Sequence, residues 1–167
     1  MTDIERQVRA PLPIPRAVVV PLMLAALALA GPATGQEADD PAAVVHRLFD
    51  AMRARDTTAI RQAFHAEGRL MTAGRDRAGN PVVQTATVDA FVRAVASARA
   101  RLDERLSEVE VRMDEGMATV WARYEFYADT TFTHCGVDAF QLARTPEGWK
   151  IIQVADTRRR EGCGEGG

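Results

Sequence analysis

Lysine is almost missing from this chain. Of 21 basic residues only Lys150 is a lysine and the other 20 are arginines, which reads as codon bias in GC-rich DNA rather than as chemistry. An excess of either charge is missing too, since 23 acids against 21 bases leave a net −2 at pH 7. Without a basic surplus there is no electrostatic footprint for nucleic acid. Serine is scarce: only Ser97 and Ser107 follow residue 35, and neither has the G-x-S-x-G setting of an armed nucleophile. The P-loop and H-E-x-x-H patterns are absent as well. His46, His65 and His134 lack the paired spacing of metal ligands, and His65 better suits the C-terminal end of a helix. Neither a metal nor a cofactor is expected.

Long apolar runs are also lacking. The charge-free stretch Ala17–Ala30 has 14 residues and contains Pro21, whereas a membrane-spanning helix needs about 20. Arg6, Arg9 and Arg16 precede it and small residues follow, which is the layout of a secretory signal peptide. Cleavage is expected after Gly35, or alternatively after Ala30. An uncleaved segment is the competing reading, and the one route to a membrane contact. No cysteine stands after the run to carry a lipid. The expected location is therefore periplasmic or secreted.

Removing 35 of 167 residues leaves 132, enough for one domain with a real core. That mature part keeps 21 acids and 18 bases, a charge of −3. Both cysteines, Cys135 and Cys163, lie within it, and outside the cytoplasm they read as one disulfide.

Helices are expected first. Asp40 caps and Pro41 opens a helix whose apolar stripe is Val44, Val45, Leu48, Phe49 and Met52. Thr57 is the expected cap of a second, with Ile60, Ala63 and Phe64 buried and Gly68 as its stop. Residues 69–73 suggest a short strand, and 75–81 a loop. Thr87 caps a third helix carrying Phe91, Val92, Val95 and Ala98. From Arg105 the period becomes 2: Val109, Val111 and Met113 alternate with Glu108, Glu110 and Arg112 as a half-buried strand. Glu115-Gly116, Asp129-Thr130-Thr131 and Thr145-Pro146-Glu147-Gly148 then divide strands at 118–127, 134–144 and 149–158. Helices before an antiparallel meander make an α+β domain with the helices on one sheet face.

The turns also predict register. A three-residue loop with a bulge at Gly148 pairs Thr145 with Trp149, and hence Leu142 with Ile152, Phe140 with Val154 and Asp138 with Asp156. Gly136 then lies opposite Arg158, and His134 opposite Arg160. Val120, Ala122, Tyr124 and Phe126 share that face, with Val109, Val111 and Met113 joining through the Glu115-Gly116 turn. The face ends in Tyr124, His134, Asp138, Asp156 and Arg158, the candidate ligand-binding residues. Opposed carboxylates repel, so desolvation could raise one pKa to where a general base or acid works. The competing reading is an ion cluster that Arg158 holds ionised. On the other face Cys135 pairs with Arg159, and a turn through Glu161-Gly162 brings Cys163 to it as a staple. Trp121, Arg123 and Glu125 also lie outside, as a subunit interface or as solvated surface.

Three stretches together, Ala118–Tyr127, His134–Leu142 and Gly148–Ile152, resemble the nuclear-transport-factor-2-like superfamily, and within it bacterial exported proteins called lumazine-binding-like or polyketide-cyclase-like. The resemblance implies a cone-like, strongly curved mixed or antiparallel sheet with about three helices on its concave face. It covers about residues 40–160, within a domain expected over 36–160 that is followed by a stapled tail at 161–167. It also implies a homodimer through the outer sheet face, at Trp121 and Gln141. Enzymes of the superfamily, such as ketosteroid isomerase and scytalone dehydratase, use a pocket Asp, Tyr or His. Asp138, Tyr124 and His134 are residues of those types, and Asp156 is a further candidate, but no catalytic motif aligns. Three functions stay open: binding of a small apolar or aromatic molecule, cofactor-free isomerase, cyclase or dehydratase activity, and a structural role in an envelope complex.

Overall fold

A computed structural model describes residues 40–164. The signal segment expected over 1–35 lies outside those residues. Helix α1 (Pro41–Ala54) begins where Asp40 accepts the Ala42 N–H at 2.9 Å, with Pro at the first position. Its expected stripe is buried: Val44, Val45, Leu48, Phe49 and Met52. Arg55 closes it in the left-handed region, at φ 56°, with its N–H on the Ala51 and Met52 carbonyls.

Helix α2 (Thr57–Ala63) departs from expectation at both ends. Its cap is Asp56, whose carboxylate accepts from the Thr58 and Ala59 N–H groups, a double acceptance that Thr57 is one residue too late to provide. It stops at Ala63 because Phe64 is already extended and opens strand β1 (Phe64–Arg75). Gly68 therefore terminates no helix. It is small because a Cβ there would stand 2.9 Å from the His65 carbonyl oxygen and 3.2 Å from that of Ile151.

An Asp76-centred loop, in which that carboxylate accepts from the Ala78 and Asn80 N–H groups, leads into β2 (Pro81–Thr87). Thr87 Oγ1 then accepts from Ala90 N–H at 3.1 Å to cap α3 (Val88–Ser97). Four strands follow: β3 (Leu102–Asp114), β4 (Met117–Ala128), β5 (Thr131–Thr145) and β6 (Gly148–Thr157). The six strands form one curved, unclosed sheet in the order β2-β1-β6-β5-β4-β3. Only the β1–β6 pair is parallel. The fold is α+β.

Helices and sheet share one core, with Met52, Ile60, Val95, Val120, Phe140, Leu142 and Ile151 under 2% exposed. Phe49 of α1 meets Phe140 of β5 edge to face, ring centres 6.0 Å apart. At the margin, Arg53 of α1 donates to the buried Asp103 of β3 at 2.6 Å, and Arg105 adds a second bond at 3.1 Å. Burial alone would raise the Asp103 pKa, but the two guanidinium groups hold it below the ordinary value.

The β4–β5 register matches expectation, with Val120 opposite Phe140 and Tyr124 opposite Gly136. The β5–β6 register matches it at one end only. Asp138 faces Asp156 and Phe140 faces Val154, but Leu142 faces Ile151 and Thr145 faces Gly148. The turn thus has two residues, Pro146 and Glu147, and the extra residue is Ile152, bulged within β6. This bulge moves Trp149 and Ile151, 4% and 0% exposed, into the core in place of Ile152.

The expectation for β3 needs the largest correction. Val111 and Met113 lie opposite Val120 and Ala118 on the expected face, but on this edge strand they are 38% and 61% exposed, and Val109 is 36% exposed. The strand begins earlier, at Leu102, and a bulge sets Glu108 and Val109 against the single residue Ala122. Glu108 takes φ 49° there. One extra residue reverses the alternation. Beyond the bulge it is Leu106 and Glu104 that oppose the inward Tyr124 and Phe126.

Cys135 and Cys163 form a disulfide. It lies beside an antiparallel bridge in which Cys135 and Arg159 exchange two backbone hydrogen bonds at 2.9 Å.

Candidate functional site

The concave face of the sheet and the helices enclose a cavity of about 330 Å³. Leu48 and Phe49 of α1, Ala90 and Phe91 of α3, Leu70 of β1, Phe140 of β5 and Val154 of β6 supply apolar wall. Thr72, Gln84 and Thr85 are its neutral polar residues. Four ionisable side chains close one end: Glu104, Asp138, Asp156 and Arg158. Three of these four are among the expected site residues. Glu104 is not, because only the bulge at Glu108 turns it inward.

The carboxyls at this end are held differently. Asp156 Oδ2 accepts from Arg158 Nε at 2.6 Å, while Asp138, 3% exposed, has no ion pair to Arg158 among the described residues. Its Oδ2 atom is buried and meets no N–H or hydroxyl donor. The group beside it is the Glu104 carboxyl, close enough to hydrogen-bond when it carries a proton. Two carboxyls in contact repel when both are ionised, which favours a proton held between them. Burial first, and then the Asp138 charge, push Glu104 well above the ordinary glutamate range. Burial also pushes Asp138 up, to about 7, although the Glu104 bond works the other way.

Tyr124 and His134 stand at this end but do not line the cavity. The Tyr124 hydroxyl donates to the Thr157 carbonyl at 2.8 Å, and burial raises its pKa. Its ring covers Gly136, where a Cβ would lie 2.8 Å from Tyr124 Cε1 and 1.8 Å from the Thr157 oxygen. His134 stacks on Phe126 at 4.9 Å and meets Tyr124 edge-on at 5.7 Å, with Nδ1 2.7 Å from Thr133 Oγ1. Burial, then the Arg158 charge, lower its pKa. Among the described residues no group of three or more His, Cys, Asp or Glu is arranged to hold a metal ion.

This combination of a helix-capped concave sheet and an apolar cavity with a polar end can be compared with known proteins. Residues 36–155 match the family described as "Putative lumazine-binding". The chain belongs to this family. Its fold is that of the nuclear-transport-factor-2-like superfamily, as solved structures show. A protein of unknown function from Mycobacterium tuberculosis is similar over 72% of this chain and 70% of its own, at 14% identity and TM-score 0.59. A nuclear-transport-factor-2-like protein from Salmonella enterica serovar Typhimurium matches over 81% of this chain and all of its own, at 16% and 0.58. A Streptomyces avermitilis protein called a "putative dehydratase" of the same fold family matches over 70% and 91%, at 15% and 0.55. No curated protein matches the sequence. For a lumazine-binding-like domain the identities are low enough that the likeness carries fold alone.

Proposed function

We propose that this lumazine-binding-like domain is exported and binds a small apolar or aromatic molecule in the cavity between its helices and sheet. One observation carries the reading: an apolar cavity of about 330 Å³ ends in a buried carboxyl whose Oδ2 no N–H or hydroxyl serves. Folded proteins rarely leave a buried polar atom unserved without a functional reason. Apolar walls with few convergent polar groups are the usual make-up of a ligand site. The disulfide supports export, because such bonds persist where the compartment is oxidising. No helix among the described residues is long and apolar enough to cross a membrane. A homodimer through the outer sheet face, where Trp121 is 51% exposed, belongs to the same reading, and light scattering would test it.

The test of binding is native mass spectrometry of the purified protein, with Ala90→Trp as the blocked control. The expected result is a small molecule retained by the wild type and absent from the variant. Identical spectra without any adduct, and no compound that binds one but not the other, would remove the reading.

A second reading is favoured by one observation. Arg158 forms its salt bridge with Asp156 and acts on Asp138, raised to about 7, only through its nearby charge. A carboxyl with that pKa in an apolar cavity suits general base work in a cofactor-free isomerase, cyclase or dehydratase. Tyr124 is poorly placed as the accompanying oxyanion donor, because its hydroxyl proton already serves Thr157. Turnover abolished in Asp138→Asn with binding retained would favour this reading over simple binding.

A further inference from the structure

The ligand-binding reading leaves the chemistry of the ligand open, and the charges at the end of the cavity narrow it; this inference rests on that reading. Arg158 gives its Nε to Asp156. Glu104 and Asp138 face each other with only a proton to join them. Three carboxyls, one guanidinium and one shared proton leave a net −1 at this end. No second cation lines the cavity. Tyr124 donates its hydroxyl to Thr157, and burial with the Arg158 and Arg160 charges keeps His134 neutral at pH 7. All other cavity residues are uncharged.

An anion placed here would meet uncompensated negative charge. A neutral molecule would leave the acid pair as it is. A cation with N–H donors would serve both carboxyls at once, in the role the shared proton holds in the empty site, and charge-assisted hydrogen bonds are the strong ones. We propose that the cavity selects a small amphiphilic cation, a protonated amine or amidine on a compact apolar or aromatic body, with its N–H groups donating to Glu104 and Asp138.

The bound nitrogen takes the place of the shared proton. Before binding the pair holds one proton and one negative charge. Afterwards it is two carboxylates around one cation, and the proton has gone to solvent. No bond other than O–H breaks, and charge is conserved. Binding should therefore release close to one proton at neutral pH, and affinity should rise as the pH is raised towards 8.

Calorimetry at pH 7, in phosphate and in Tris, counts the proton, and a repeat at pH 8 reads the change in affinity. The probes are two matched series: naphthylmethylamine, naphthalenemethanol and naphthoate, then benzylamine, benzyl alcohol and benzoate. The expected order is amine above alcohol above carboxylate, the amine tighter than the alcohol by about tenfold or more. The two buffers should report a proton released with the amine alone. Glu104→Gln gives Asp138 a permanent N–H donor, so it should weaken the amine by about tenfold and spare the alcohol. Ala90→Trp should remove all binding.

An alcohol that binds as well as the amine, or a carboxylate that binds best, overturns the ligand class and leaves the pocket standing. No binding in either series overturns the pocket as well. Amine binding that releases no proton, or survives Glu104→Gln or Ala90→Trp unchanged, overturns its placement at the acid pair.

Discussion

Asp138 and Asp156 stand directly opposite each other across β5 and β6, and only Asp156 has a guanidinium partner. Arg158 lies two residues beyond Asp156 on the same chain segment and folds back onto it at 2.6 Å. The group beside Asp138 is instead the Glu104 carboxyl, two strands away on β3 and on the same face of the sheet. This inequality sets Asp138 apart from Asp156, and several measurable consequences come from it.

Stability should fall as pH rises through neutrality. Asp138 and Glu104 have folded-state pKa values raised above their ordinary 3.8 and 4.5, so the native state binds protons that the unfolded chain has lost. Their contribution is fully present below about pH 4 and is lost as pH rises through about 7, a change on the order of 2–4 kcal/mol. Urea titrations at pH 5.5 and 8 would show it. Asp138→Asn should flatten the profile, and an equally steep decline in the variant would show that the pair is not its source.

The sequence made one half of this pair legible and hid the other. Asp138 and Asp156 could be placed opposite each other because turn chemistry near Gly148 fixes the strand pairing to within one residue. The assumed three-residue loop is in fact a two-residue turn followed by a bulge at Ile152, and both arrangements give the same register at the aspartates. Glu104 was hidden because unbroken alternation from Met113 points it outwards. No glycine marks the bulge, and a glutamate at φ 49° gives no local warning. The helices were legible from their apolar stripes, while the cap of α2 was misplaced by one residue because Asp56 and Thr57 both suit the position. The parallel partner of β6 could not be read, since a parallel pairing leaves no turn between its strands.

Cys163→Ser should cost about 3–4 kcal/mol through the freedom regained by the unfolded loop, whose ends are 28 residues apart. Thermal melts with and without reductant would measure it. The wild type in reductant should fall to the level of the variant. A melting temperature untouched by either change would show that the backbone bridge at Arg159 holds this end alone.

Gly136→Ala should be among the most damaging single-methyl additions in the domain. The new Cβ would need the space of the Thr157 carbonyl oxygen, 1.8 Å away, and of the Tyr124 ring. Overpacking against backbone costs about 1–3 kcal/mol or more. A variant that melts with the wild type would mean that β6 ends elsewhere in solution.

Tyr124→Phe isolates a single hydrogen bond. Loss of the bond to Thr157 should cost about 1 kcal/mol, since the carbonyl left behind is unserved. Urea denaturation reads the change. A variant as stable as the wild type would place the hydroxyl on water or on the acid pair instead.

The Glu108 bulge makes residue count, more than residue identity, the determinant of what this cavity can hold. Deleting either Glu108 or Val109 would restore an unbroken ladder from Met113 to Leu102, with every retained side chain chemically unaltered. Glu104 would then rotate to the outer surface and Asp103 would turn in, abandoning its bond to Arg53. A change in frame of one position would thus disarm the acid pair and unlatch α1 together, an outcome that few point substitutions could reproduce. Among related chains, length variation between Ser107 and Glu110 should therefore track changes of ligand more closely than variation among the wall residues.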